Sequence, residues 1–211
     1  MPREAKGLFH RGGTVFVAAI VLGFVFGGAN QYLGSRVMVG SHFALGPWAT
    51  AVSLMSAPWL AFPFVFGSTQ VRPLRAAMLG LVATLAALAG YFVLMWSPLE
   101  GVALSDFLGH WRAYLLSQRM NIFGGLVTGP LFGLLGQRWR ANRSWASASL
   151  VVGAFCFEPL ARRFFGHLPP PNFVWEIEVA SGLFLALVFT YSGLARTRGS
   201  IHPAEDHSRS E

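Results

Sequence analysis

Charge is scarce in this 211-residue sequence. Asp, Glu, Lys and Arg together make up 12% of it, about half the share of an ordinary soluble domain. With 54% apolar residues beside that scarcity, a disordered chain is excluded, because disorder needs the opposite composition. The same composition argues strongly against an ordinary soluble globular domain. Cysteine is almost absent: Cys156 stands alone in an apolar run. No intrachain disulfide can form, and there is no CxxC or Cys/His spacing for a metal. Also missing are H-E-x-x-H, G-x-S-x-G, the Walker A pattern and G-x-G-x-x-G. Zinc, serine-hydrolase and nucleotide chemistry therefore have no support. The expectation is a non-enzyme with no cofactor and no metal site.

What the sequence does have is six long apolar blocks, each near the length a helix needs to cross a bilayer. They run over 14–34, 45–66, 76–96, 120–137, 145–160 and 174–195. The second carries Pro47, Pro58 and Pro63, and the fifth is interrupted by Glu158-Pro159. The first block is longer than a signal-peptide core and no A-x-A site follows it, so a retained helix is expected. The fold class expected is an all-α polytopic membrane protein. It is a six-transmembrane-helix bundle with a short outer-face amphipathic helix. Residues 1–196 form one transmembrane domain, and 197–211 a disordered cytoplasmic tail.

The net charge of +7 would point a soluble chain toward nucleic acid. Here the basic residues follow the ends of the apolar blocks, so nucleic acid is not an expected partner; the lipid bilayer is. With the N-terminus inside, ten basic residues fall on the cytoplasmic side: Arg3, Lys6, Arg11, Arg72, Arg75, Arg138, Arg140, Arg143, Arg196 and Arg198. Five fall outside: Arg36, Arg112, Arg119, Arg162 and Arg163. The positive-inside rule then places both termini in the cytoplasm of a multi-pass cell-membrane protein. Trp48, Trp96, Trp139, Trp145 and Trp175 sit near block ends, as residues of the headgroup layer do.

The connection over 97–119 has a helical apolar face, Phe107, Leu108, Trp111, Tyr114 and Leu115, with Ser105 or Asp106 as a possible cap. It reads as an interfacial helix or an outward extension of the fourth span. Small residues recur every fourth position on two spans: Ala19, Gly23 and Gly27 on the first, Gly125, Gly129 and Gly133 on the fourth. Such stripes allow close helix approach. They are expected to serve helix packing, first span against fourth, with docking of another membrane subunit as the alternative. The openings Trp48-Ala49-Thr50-Ala51 and Trp145-Ala146-Ser147-Ala148 are alike but too short to establish an inverted repeat.

Ionisable groups in spans are costly and face an interior, a cavity or a partner. Glu158 and Arg162 are four residues apart, so an ion pair is expected at the outer end of the fifth span. The helix dipole disfavours an anion there, which makes a neighbouring cation sensible. Glu176 and Glu178 open the sixth span after Pro169-Pro170-Pro171; only one of the two can turn inward. Asn30 and Gln31 end the first span. Glu158, Arg162, Glu176, Asn30 and Gln31 thus form a candidate outer-face ligand site, near Arg36, Arg119, Arg163, His110 and His167. Interfacial solvation explains the same residues without a ligand.

Glu158-x-x-x-Arg162 matches part of the Glu-Glu-x-x-x-Arg motif of intramembrane CAAX-processing-like proteases. Phe157 stands where the first glutamate belongs and suitably spaced histidines are missing, so that chemistry is not expected. The runs His110-Trp111-Arg112, Gly124-Gly125, Gly129-Pro130 and Gly136-Gln137-Arg138-Trp139-Arg140, with the acid-bearing fifth span, resemble a family of small bacterial six-span membrane proteins of unknown function. That resemblance implies an architecture and no reaction. In span number, length and the small-residue first helix, the chain is also similar to the substrate-binding S components of energy-coupling-factor transporters. That likeness implies a small molecule bound near the outer face. Two readings follow: a small-molecule binding or transport component, or a non-catalytic accessory subunit packed against a larger membrane complex.

Overall fold

The computed structural model describes residues 3–35, 47–166 and 169–199. Arg36, His167 and residues 200–211 of the expected tail lie outside them, while 197–199, expected to be disordered, belong to the last helix. Among the described residues the fold is all-α, with no strand. The helices are α1 (Arg3–Gly34), α2 (Pro47–Ser53), α3 (Ala57–Ser68), α4 (Pro73–Met95), α5 (Leu104–Ser117), α6 (Arg119–Asn142), α7 (Trp145–Phe164) and α8 (Asn172–Gly199). A 3-10 turn, Pro98–Glu100, follows α4.

Three helical stretches are long and apolar enough to cross a membrane: Gly13–Gly34, Pro73–Met95 and Asn172–Gly193. A fourth arises if α2 and α3, bent by 50° at their junction, count as one span. On α1 the side chains of Phe16, Val17, Val21, Phe24 and Val25 are exposed. A continuous apolar surface of that kind is not a water-facing surface. These features mark the chain as a membrane protein.

Small residues decide how the helices pack, but the pairing differs from the expected one. The α1 stripe does not meet the stripe on α6; both close on α4, which lies between them. Ala19 is fully buried against Leu79 and Ala83. A Cβ on Gly23 would sit 2.6 Å from the Ala83 carbonyl oxygen, and one on Gly27 would run into the Ala87 carbonyl. On the opposite face of α4, a Cβ on Gly129 would lie 2.8 Å from Thr84 Oγ1, and one on Gly125 2.8 Å from Leu88 Cδ1. Gly133 abuts Ala76 and Gly80 of α4, and Gly67 of α3 abuts Gly133 in turn. The physical reason is composition: α4 offers Ala76, Gly80, Ala83 and Ala87 on its own buried faces, so it receives a backbone on each side.

Aromatic side chains fill the other contacts. Phe64, Phe132, Trp139, Val151 and Phe189 join α3, α6, α7 and α8 in one buried cluster. Trp139 and Trp175 are therefore core residues and not interface anchors, whereas Trp48 and Trp145 are exposed. At the end of the bundle near residue 70, α6 satisfies the backbone of the turn between α3 and α4. Gln137 donates to the Val71 carbonyl at 2.9 Å, and Arg140 to the Thr69 carbonyl. The α5 helix meets the end of α4 through Tyr114, whose ring centre lies 5.8 Å from that of Trp96, and leaves Leu108, Trp111 and Leu116 exposed. Its N-cap is Ala103, not Ser105 or Asp106, and it kinks at His110.

Candidate functional site

The second apolar block is continuous in sequence yet broken in structure. Its α2 half ends at Ser53 and its α3 half begins at Ala57, with Pro58 in the first turn. Proline suits a first turn because its missing amide would have no helical partner there. A break inside a buried apolar segment leaves backbone groups that must find partners within the protein. The partners come from α7, about a hundred residues away.

Glu158 takes the amides of the α3 start. Its Oε1 accepts from the Ser56 amide at 2.9 Å, and its Oε2 from Ser56 at 2.8 Å and from Ala57 at 2.9 Å. Arg162 takes the other side of the break, donating from Nη2 to the Leu54 carbonyl at 2.5 Å. The two side chains are also bonded to one another: Arg162 Nε and Nη2 reach Glu158 Oε1 at 2.9 and 2.8 Å. The expected ion pair is present. Its carboxylate sits at the positive end of α3, which offsets its unfavourable place near the end of α7. The helix α7 runs unbroken through Pro159 to Phe164.

The start of α8 completes this junction. Trp175 and Val174 pack on Ala51 and Met55 of the broken segment. The Arg162 guanidinium lies 5.3 Å from the centre of the Trp175 ring, and the indole donates to the Pro169 carbonyl at 2.7 Å. Of the paired acids, Glu178 is the one that turns inward and is 2% exposed, while Glu176 is exposed. Val174, Trp175 and Glu178 share a helical face; Glu176 falls off it.

Beside the broken segment is a cavity of about 400 Å³. Asn30 of α1, Ser53 and Ser56 of the break, Tyr91 of α4, and Asn121 and Thr128 of α6 contribute polar groups to its wall. Trp59 and Tyr91, 6.1 Å apart in an edge contact, add aromatic surface. None of the described lining residues is charged.

The candidate residues therefore do not converge on one site. Asn30 lines the cavity and is buried. Glu158 and Arg162 stand behind the cavity wall and hold it. Gln31 donates to Glu100 Oε1 at 3.1 Å, and Glu176 is exposed and not among the lining residues. Sequence reasoning passed over Ser53, Ser56, Tyr91, Asn121 and Thr128. Their signal was available: each is a hydroxyl or amide within or beside an apolar block, but attention to ionisable groups passes over neutral ones. Among the described residues no group of three or more His, Cys, Asp or Glu is arranged to hold a metal.

Helix length, lipid-compatible surface and a polar junction at a broken helix together define a helical membrane protein built around an interrupted segment. By sequence, the chain belongs to a Family of unknown function (DUF6518), whose model matches residues 43–204. The matched region holds the break, both acids and most of the cavity wall. No curated protein and no solved structure matches the chain.

Proposed function

We propose that this protein is a small-molecule binding or transport component of a cell membrane, with its site in the cavity beside the α2–α3 break. The observation that carries this reading is the cavity itself. Its volume of about 400 Å³ falls within the range of small-molecule pockets, roughly 300–1,000 Å³. Its wall mixes aromatic surface with a few hydroxyls and amides, the usual composition of a site that orients a ligand.

The chemistry of the wall selects a neutral ligand. In many transporters a half-helix N-terminus is left open for an anionic group. Here the N-terminus of α3 is already occupied by Glu158, so an anion finds no free donor pair. A cation finds no carboxylate on the lining. An uncharged, partly aromatic or hydroxylated molecule fits both conditions.

The finer topology belongs to the same proposal. Six crossings, by α1, the α2–α3 pair, α4, α6, α7 and α8, place both termini on one side. The ten-to-five distribution of basic residues makes that side cytoplasmic, and the cavity then opens toward the outer face. The reading as an accessory subunit drew on small-residue stripes as docking faces. Both stripes are consumed within the bundle, which favours the binding reading.

A thermal-shift screen of the purified protein tests the proposal. Uncharged small molecules should raise the melting temperature, and charged analogues should not. Replacing Asn30 by Leu should abolish the response of a hit while leaving the unliganded protein folded. Failure of every neutral compound, or hits indifferent to Asn30→Leu, would count against the cavity. For topology, a reporter active only outside the cell should be silent when fused to the C-terminus.

A further inference from the structure

Glu178 is the largest fully buried side chain of the described residues, and neither of its carboxyl oxygens receives a hydrogen bond. Its electrostatic neighbours are Glu158 and Arg162. Counting formal charges, two carboxylates face one guanidinium, so the cluster is short of one positive charge. Leaving a second carboxylate buried with no donor is costly, and such a group is neutralised by taking a cation or a proton.

We infer that the Glu178–Glu158–Arg162 cluster is a proton-binding site, with one exchangeable proton held on Glu178 beside the Glu158 carboxylate. Geometry favours a proton over an alkali ion. Glu158 already accepts from Ser56, Ala57 and Arg162 with both oxygens. That leaves little room for the several oxygen ligands that a metal cation requires. A proton needs only one donor and one acceptor, and a protonated Glu178 supplies the donor that its surroundings lack.

Among the described residues, the other titratable group at the α7–α8 contact is Cys156, whose Sγ faces Gly182, one turn beyond Glu178. Residues 47–68, which form both halves of the broken segment, contain none. On α7, Arg163 is exposed, and on α8, Glu176 is exposed. The position gives the proton a consequence. Glu158 is the residue that caps the α3 start, so proton exchange on its neighbour acts directly on the hydrogen bonds that fix the cavity wall. The site is separate from the cavity, and its test needs no ligand.

Infrared difference spectroscopy in lipid nanodiscs at neutral pH reads the proton directly. Wild type minus Glu178→Gln should contain the C=O stretch of a protonated carboxylic acid, shifted by D₂O exchange and unchanged by replacing choline with sodium in the buffer. Glu176→Gln should retain that band. If Glu178→Gln does not fold, the wild-type band must still move on ¹³C-carboxyl labelling of glutamate and shift in Glu178→Asp. A wild-type spectrum with ionised carboxylates alone would overturn the inference. So would a band that survives Glu178→Gln, or one that disappears when sodium is added.

Discussion

Two regions of this bundle solve the problem of burying backbone in opposite ways. Along the α1–α4–α6 seam, side chains are removed until backbones touch: Gly23 and Gly27 meet Ala83 and Ala87, and Gly129 and Gly133 meet Gly80, Thr84 and Ala76. At the α2–α3 break, the helix itself is interrupted and an ion pair replaces the missing bonds. The seam is held by van der Waals contact and has no tolerance for volume. The break is held by a few charged hydrogen bonds, which can be removed one at a time. The lesson is that the rigid part and the adjustable part of the molecule are distinct, and the cavity lies where they meet: Thr84, Leu88 and Gly125 belong to the seam, Ser53 and Ser56 to the break.

The largest effect should come from filling the seam. Gly27→Leu forces a side chain into the Ala87 backbone, and overpacking of that severity is expected to cost about 3 kcal/mol or more. Loss of monodisperse protein in detergent would report it; normal yield and melting temperature would mean that this face of α1 meets lipid. Gly129→Leu should behave similarly, against Thr84.

Next is the clamp at the break. Arg162→Gln removes the guanidinium from both Glu158 and the Leu54 carbonyl, leaving a carboxylate with 12% side-chain exposure. The expected cost is about 3 kcal/mol, at the lower end for breaking a buried pair. In a double-mutant cycle with Glu158→Gln, the coupling should be about 2 kcal/mol. That value lies above an exposed surface pair, roughly 0.2–1 kcal/mol, because backbone groups are bound at the same time. A coupling inside the surface range would make the pair ornamental.

A smaller effect is expected at the opposite end of the bundle. Arg140→Ala frees the Thr69 carbonyl in an exposed turn, where water can replace the donor; about 1 kcal/mol is expected from thermal unfolding. Equality with Arg162→Gln would erase the distinction between a buried break and a solvated turn. Smallest of all is Leu116→Ala on α5, an exposed side chain, expected to change stability by less than about 0.5 kcal/mol.

Much of this architecture was legible in the residues. Long apolar runs reveal helices because a bilayer imposes their length. The four-residue spacing of Glu158 and Arg162 reveals their pairing because it is a local property of one helix. What those side chains hold was not legible, since Leu54, Ser56 and Ala57 lie a hundred residues away and look like any apolar stretch. Pro58 was a partial clue: it marks a helix start as readily as a kink. The partner of each glycine stripe was hidden for a related reason. Spacing identifies a face that admits a close neighbour, but the neighbour, α4, carries its small residues as Gly80 and Gly90 among scattered alanines. The choice of Glu178 over Glu176 follows from the helical phase of Val174 and Trp175, once those two are known to be buried.

Hydrogen–deuterium exchange on the folded protein in nanodiscs, comparing wild type with Glu158→Gln, tests most directly whether the break is clamped separately from the seam. The expected result is faster exchange confined to peptides covering 50–60, with those covering 19–27, 76–90 and 125–136 unchanged. Unaltered exchange at 50–60, or acceleration spread equally over the seam, would contradict it.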